Sequence, residues 1–140
     1  MEIKTGYFAK AKQYADDGYA LVSIAKVAPW FLPKDVVLNS LSELAPTKEI
    51  LALKDNPVEY EKRYRAEILS NLTCSRIYQR LAGIANKMHI GKIVLLCYES
   101  PNKFCHRHIV AKWLGDFLGK NISEVVVSPK IERSLFDSDV

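Results

Sequence analysis

Short apolar runs alternate along the chain with longer segments of helical periodicity. The runs are residues 2–5, YALVSIA at 19–25 and KIVLLC at 92–97, with a weaker one at 123–128. The second and third runs have apolar side chains at almost every position, which is typical of parallel strands that are covered on both faces. We therefore predict four strands, with the runs at 19–25 and 92–97 inside a sheet.

Helical patterns fill the segments between these runs. Asn56 and Pro57 mark a helix start, because asparagine caps the free N–H groups of a first turn and proline fits the first helical position. A second helix is predicted over residues 74–88 with Thr73 as its cap, and a third begins near Cys105. The order of strand, helix, strand, helices, strand, helix and strand implies parallel pairing with right-handed crossovers.

These elements predict one α/β domain over residues 1–140, built as a small three-layer arrangement with a mainly parallel sheet. The final residues, about 129–140, are predicted to form a polar C-terminal tail. The composition agrees with this class, since 49% hydrophobic and 26% charged residues are ordinary values for a globular protein. The chain is long enough to bury a sizeable core without a disulfide staple.

Charge, hydropathy and cysteine content indicate which cellular compartment and which partners to expect. The net charge of +4 is mildly basic, and the charges of EYEKRYRAE alternate in sign as on a solvated helix face, so basicity alone is weak support for nucleic-acid binding. No apolar run approaches the roughly 18 residues of a membrane span, and MEIKTGYFAKAK lacks the apolar core of a secretory signal. With three cysteines, an odd number, the chain is predicted to be cytoplasmic and without a membrane partner.

Polar side chains concentrate in one stretch, LLCYESPNKFCHRHIVAKWLGDFL at residues 95–118. Cys97 ends a predicted inner strand, Glu99 follows in the loop, and Cys105, His106 and Arg107 open the next helix. Ligands of open parallel sheets bind beyond the carboxyl ends of the strands, and a helix N-terminus attracts anions there. The position of the cluster therefore predicts a functional site.

Helical geometry separates the residues at the start of this helix. At about 100° per residue, His106 continues the apolar face and leans over the strand ends, while Arg107 lies on the flank, free to reach a ligand. His108 points to the opposite side and is expected to be solvated. Lys26 and Trp30 follow the second strand and are candidates to reach the same crevice, with Lys26 as a ligand-binding residue.

Three kinds of chemistry fit the cluster, and the sequence leaves them open. Cys105 is a candidate nucleophile or redox-sensitive thiol, stabilised by the helix dipole and Arg107, with Glu99 or His106 moving protons. Cys97, Cys105 and His106 are also zinc-ligand types, although their spacing does not match the usual short cysteine pair. The third possibility is an electrostatic site that binds phosphate or carboxylate without chemistry. Each thiol is equally explained as an inert buried cysteine.

Common glycine-rich motifs of nucleotide binding and of serine hydrolases are missing from the sequence. We find no G-x-x-x-x-G-K-[ST] loop and no G-x-G-x-x-G, which bind nucleotides, and no G-x-S-x-G, which carries a nucleophilic serine. With six glycines in the chain, there is little room for such a cradle. The sequence therefore predicts no bound cofactor.

The block LLCYE, followed after a short loop by CHRHIVAKWL, closely resembles the domain of unknown function 488 family. TGYFAKAKQYADDGYALVSIAKVAPWF is similar to the N-terminal part of that family and EYEKRYRAEIL to its middle, so the resemblance extends to about Val127. It implies a small Rossmann-like α/β domain whose signature residues gather near one strand end. By position these are Cys97, Glu99, Cys105, His106 and Arg107; the family supplies no activity.

The sequence leads to a function hypothesis with two alternatives. We expect a small enzyme that acts on an anionic, phosphate-bearing substrate related to nucleotides or nucleic acids. Cys105, His106, Glu99 and Cys97 are the candidate catalytic residues, and Arg107 binds the anion. The alternatives are an anion- or nucleic-acid-binding module without catalysis and a Cys/His metal site.

Overall fold

A four-stranded sheet with helices on both faces forms the centre of the computed structural model, which describes residues 1–99 and 103–126. All strand pairs in this sheet are parallel, and the spatial order is β1-β4-β2-β3. The strands are β1 (Glu2–Tyr7), β2 (Ala20–Ser23), β3 (Leu38–Ser40) and β4 (Lys92–Cys97). The predicted α/β class with a parallel sheet is confirmed.

Five α-helices connect or flank the strands in the described part of the chain. They are α1 (Ala11–Asp16), α2 (Lys48–Leu51), α3 (Pro57–Glu67), α4 (Cys74–Met88) and α5 (His106–Leu118). Both predicted caps are confirmed: the Asn56 side chain accepts the Glu59 N–H at 3.3 Å, and Thr73 accepts the Arg76 N–H at 3.2 Å. Within the described residues, none of these helices combines the length and apolarity needed to cross a membrane.

Strand β4 shows why the chain forms three layers. Its residues Ile93, Leu95 and Cys97 belong to the core under α3, α4 and α5, whereas Val94 and Leu96 belong to the core under α1. Burial of each large aliphatic side chain contributes about 1.5–3 kcal/mol, so both faces of this strand favour the interior. The three-layer, Rossmann-like arrangement follows from the apolar residues at every position of β4 after Lys92.

The sheet edges differ from the sequence prediction. Strand β3 was not predicted, because LNS has no apolar alternation; it is an edge strand that pairs with β2 alone. In the predicted run at 123–128 the structure has one isolated bridge, between Thr5 and Glu124, and residues 127–128 lie outside the described residues. The predicted tail at about 129–140 also lies outside them.

The ends of the central strands set the location of the site. Strand β4 ends at Cys97, and β2 lies beside it with Ser23 opposite Leu96. The next residue, Ile24, donates its N–H to the Leu96 carbonyl at 3.0 Å, so its own carbonyl group projects past the end of β2. Helix α5 begins at His106 close to this edge.

Candidate functional site

A cavity of about 390 Å³ opens beyond the carboxyl ends of β2 and β4. Five of the six residues predicted from the sequence line it, namely Lys26, Cys97, Glu99, Cys105 and His106. Its other lining residues are mainly apolar or aromatic: Ala25, Val27, Pro46, Leu51, Lys54, Tyr60, Tyr98 and Phe104. The structure therefore brings both sulfurs, the imidazole and Glu99 to one hollow.

Cys97 and Cys105 are joined by a disulfide bond in the wall of this cavity. The sequence left their pairing open. Both residues are buried, with 1% of Cys97 and 6% of Cys105 exposed, so Cys105 is the more accessible of the two. The third cysteine, Cys74, is free.

The disulfide predicts a simple thiol count. Protein purified without reductant and unfolded in iodoacetamide should gain one carbamidomethyl group, at Cys74, because the other two sulfurs are bonded. After reduction it should gain three. Intact-mass spectrometry distinguishes the two results, and three labels without prior reduction would contradict the disulfide.

His106 has a defined tautomer because of its hydrogen bond to the main chain. Its Nε2 lies 2.8 Å from the Ile24 carbonyl oxygen. A carbonyl oxygen only accepts, so Nε2 carries the proton and donates it, and Nδ1 of the neutral ring has a free lone pair. Nδ1 lies 3.6 Å from Sγ of Cys105. The ring is thus oriented with its acceptor nitrogen toward the more accessible sulfur.

The surroundings of His106 keep the imidazole neutral. Its pKa is lowered to about 4, chiefly by burial and also by the charges of Arg107 and His108, while the hydrogen bond to Ile24 opposes the shift. Only 4% of the residue is exposed, and the Tyr64 ring lies 5.7 Å away between centroids. A neutral ring at pH 7 is the form that can accept a proton at Nδ1.

Arg107 lies in the protein interior instead of on a free flank. It is fully buried, and its Nε and Nη2 donate to the two carboxylate oxygens of Glu124 at 3.0 and 2.9 Å. Its Nη1 donates to Sγ of Cys97 at 2.9 Å and to the Glu99 carbonyl at 2.6 Å. The expected free guanidinium is therefore wrong, because an internal carboxylate already neutralises it; binding of substrate by Arg107 stays a prediction.

Glu124 is the residue of this network that sequence reasoning missed. Its carboxylate also accepts from Oγ1 of Thr5 at 2.5 Å, and main-chain bonds from Thr5 N–H to Ser123 and from Val125 N–H to Thr5 hold the segment beside β1. Burial raises the pKa of Glu124, but hydrogen bonds from Arg107 and Thr5 outweigh it and lower the pKa overall. A lone acid in a weak strand pattern gives no signal for this role.

A second, smaller cavity of about 310 Å³ adjoins the first, and both are lined by Lys54, Glu99 and Phe104. Asp55 and Lys103 complete its lining. The second cavity therefore adds Asp55 and Lys103 to a crevice in which lysines already lie beside the aromatic residues of the first cavity. Trp30 does not line either cavity; it is 94% exposed.

The same cluster has the composition of a metal site. Ligand atoms of Cys97, Cys105 and His106 lie within 4.8 Å of one another, the one such group in the described residues. Cysteine and histidine are zinc ligands, and a backbone carbonyl on the second ring nitrogen is a common outer partner of a metal-binding histidine. Because the disulfide occupies both sulfurs, coordination requires that the bond first be reduced.

Comparison with known proteins connects this geometry to a family. The family model described as the active DUF488-N3 subclade matches residues 6–117. The chain belongs to the DUF488 family. The resemblance drawn from LLCYE and CHR is thereby confirmed, and the match spans every predicted site residue of this DUF488 protein from Lys26 to Arg107, ending before Glu124. Searches of curated proteins and of solved structures each found no significant match.

Proposed function

We propose that this DUF488 protein is a thiol-dependent enzyme that acts on a phosphate-bearing, nucleotide-like substrate in the cavity beyond β2 and β4. Cys105, once reduced, is the nucleophile, and His106 is its base. The matched subclade is described as active, which supports catalysis over a structural role. Under this proposal the disulfide form is the resting, oxidised form.

The observation that carries the proposal is the fixed tautomer of His106. Because Nε2 donates to Ile24, Nδ1 is free to take the proton of the Cys105 thiol, whose sulfur lies 3.6 Å away. Enzymes commonly activate a nucleophile by placing a base next to it and orienting that base with a third group. Here these would be Cys105, His106 and the Ile24 carbonyl. A thiolate formed at this distance would in turn stabilise the imidazolium and offset the effect of burial on its pKa.

The other charged groups have complementary parts in the proposed reaction. Glu99 lines both cavities and is the carboxylate that can carry a proton to or from the substrate. Arg107 acts from behind the cavity wall, where it holds the Cys97 sulfur and the Glu99 carbonyl. In this proposal it supports the catalytic groups, and the direct contact with the anion that the sequence predicts for Arg107 is not required.

The walls of the crevice support a nucleotide-like substrate. Tyr60 and Phe104 pack edge to face with ring centroids 4.8 Å apart, and together they offer an aromatic surface to a planar base. Lys26 and Lys54 are exposed residues of the same lining and supply positive charge for a phosphate. A ligand with both a ring and an anion would use both the aromatic surface and the lysines of this cavity.

Binding of nucleoside 5′-monophosphates to reduced protein tests the substrate class. Calorimetry should detect binding, which Lys26→Ala and Lys54→Ala each weaken by about fivefold, because each change removes one exposed charge from the anion. Lys62→Ala, an exposed lysine on α3 outside the cavity lining, is the matched control and should bind like the original protein. Absence of binding across the panel, or equal loss in all three variants, would contradict the proposal.

The role of the thiol is tested by conversion of the nucleotides that bind. Cys105→Ser should keep binding but lose turnover, whereas Cys74→Ser should keep both, since Cys74 is outside the cavity lining. Binding without turnover in the original reduced protein would favour the anion-binding alternative. Stoichiometric zinc in the reduced protein, measured by elemental analysis, would favour the metal alternative.

A further inference from the structure

The two sulfurs of the cavity disulfide have chemically different neighbours. Sγ of Cys97 accepts a hydrogen bond from the Arg107 guanidinium at 2.9 Å and is held on the buried side, with 1% of the residue exposed. Sγ of Cys105 faces Nδ1 of His106 at 3.6 Å, and the residue is 6% exposed. The Cys97 sulfur thus lies beside a positive charge. The Cys105 sulfur is more exposed and lies beside a proton acceptor.

We propose that the Cys97–Cys105 disulfide is an exchangeable bond, opened by a small carboxylate-bearing thiol that enters the cavity and attacks Cys105, with Cys97 leaving as a thiolate held by Arg107. This thiol–disulfide exchange is an activity in its own right and does not require the nucleotide chemistry proposed above. The direction of opening follows from the asymmetry of the two sulfur environments.

The exchange balances with two equivalents of the small thiol. The first thiol gives its proton to Nδ1 of His106, and its sulfur bonds to Sγ of Cys105 as the bond to Cys97 breaks. The second thiol attacks the small-molecule sulfur of this mixed disulfide and releases Cys105, which takes the proton from His106. Two small thiols are oxidised to one disulfide, the protein accepts two electrons, and the second thiol's proton goes to solvent because Cys97 remains a thiolate.

Leaving-group stability and access both favour this direction. Thiol–disulfide exchange is faster when the departing sulfur is stabilised as a thiolate. Arg107 supplies that stabilisation to Cys97 where both side chains are buried, and Glu124 fixes the guanidinium by two hydrogen bonds. Lys26 and Lys54 at the cavity attract a thiol that carries carboxylates, such as the tripeptide glutathione.

Exchange would control the proposed nucleophile. While the bond is closed, Cys105 has no thiol, so it cannot act as a nucleophile and has no proton to give to His106. Opening the bond therefore switches the site on, a consequence that rests on the proposed function, whereas the exchange itself does not. Measuring exchange by mass without any nucleotide keeps failure of the two proposals distinguishable.

Trapping the mixed disulfide identifies which sulfur is attacked. The oxidised, folded Cys74→Ser protein is treated briefly with glutathione, quenched with acid, alkylated and digested with trypsin. Cleavage at Lys103 separates IVLLCYESPNK, which contains Cys97, from FCHR, which contains Cys105. We expect glutathione on FCHR and the alkyl group on IVLLCYESPNK; the reverse pattern, or no opening until the protein is unfolded, would overturn the proposal.

The contribution of Arg107 is tested by the redox equilibrium. The fraction of disulfide is measured against graded ratios of reduced to oxidised glutathione, in the Cys74→Ser protein and in the same protein with Arg107→Met. Loss of the charge should make the disulfide at least about tenfold harder to reduce, or about 30 mV more negative in midpoint potential. An unchanged midpoint in a folded variant would overturn the role of Arg107, and if the variant does not fold, the trapping experiment alone decides the proposal.

Discussion

Replacing Arg107 with methionine is expected to lower the free energy of unfolding by about 3 kcal/mol, the largest effect of any single substitution at the site. The guanidinium is fully buried and donates to Glu124, Cys97 and the Glu99 carbonyl. Removal of one member of a buried ion pair leaves the other charge without compensation, which costs about 3–5 kcal/mol. The lower end applies here because the Glu124 side chain keeps 21% of its surface exposed.

Chemical unfolding, followed by circular dichroism with the disulfide intact, measures this loss. The matched control is Lys112→Met, whose ion pair with Asp116 has both side chains 64% exposed or more and should matter by less than about 0.5 kcal/mol. Adding Glu124→Met to Arg107→Met should recover part of the lost stability, because it removes the stranded carboxylate. A single substitution no worse than the control would mean that Arg107 is not an internal ion-pair partner.

The central strands could be predicted from the sequence because a strand covered on both faces needs apolar side chains at almost every position. KIVLLC is apolar on both faces, and the predicted range 92–97 agrees with β4 at Lys92–Cys97. The caps at Asn56 and Thr73 were also predictable, because each side chain accepts an N–H group only three residues further along the chain. The edge strand β3 was not, because its pairing depends on β2 as a neighbour and leaves no regular pattern in its own three residues.

The candidate site divides along similar lines. The meeting of Cys97, Cys105 and His106 was predictable from chain position, because a strand end and the next helix start are adjacent in a parallel sheet. The orientation of Arg107 was not, since its counter-charge, Glu124, lies 17 residues further along the chain. Helical geometry placed Arg107 on an open flank, because the sequence of the helix itself does not reveal the carboxylate of Glu124 that holds the side chain in the interior.

Glu124 connects the segment beside β1 to the chemistry of the cavity. Thr5 fixes this segment through its main chain and its hydroxyl, Glu124 fixes Arg107, and Arg107 contacts the Cys97 sulfur. The family match ends at residue 117, before this carboxylate. The electrostatic surroundings of the Cys97 sulfur therefore depend on Glu124, a residue outside the family signature.

Acidification from pH 7.5 to 5 is expected to destabilise the folded protein by on the order of 2 kcal/mol through His106 alone. Its pKa falls from 6.5, the ordinary value, to about 4 in the folded state, chiefly by burial and with a further contribution from Arg107. The unfolded chain then binds a proton over this range that the folded chain does not, so stability is complete above about pH 6.5 and is lost as the pH falls toward 4. Urea unfolding of the oxidised protein at the two pH values measures the loss.

His106→Gln isolates this contribution, because its amide N–H can donate to the Ile24 carbonyl without titrating. The variant should be less stable at pH 7.5 but should lose about 2 kcal/mol less than the original protein on acidification to pH 5. His108, whose pKa burial also lowers, is present in both proteins and cancels in the difference. Equal losses would mean that folding does not lower the pKa of His106, which would contradict a buried imidazole that stays neutral down to pH 5.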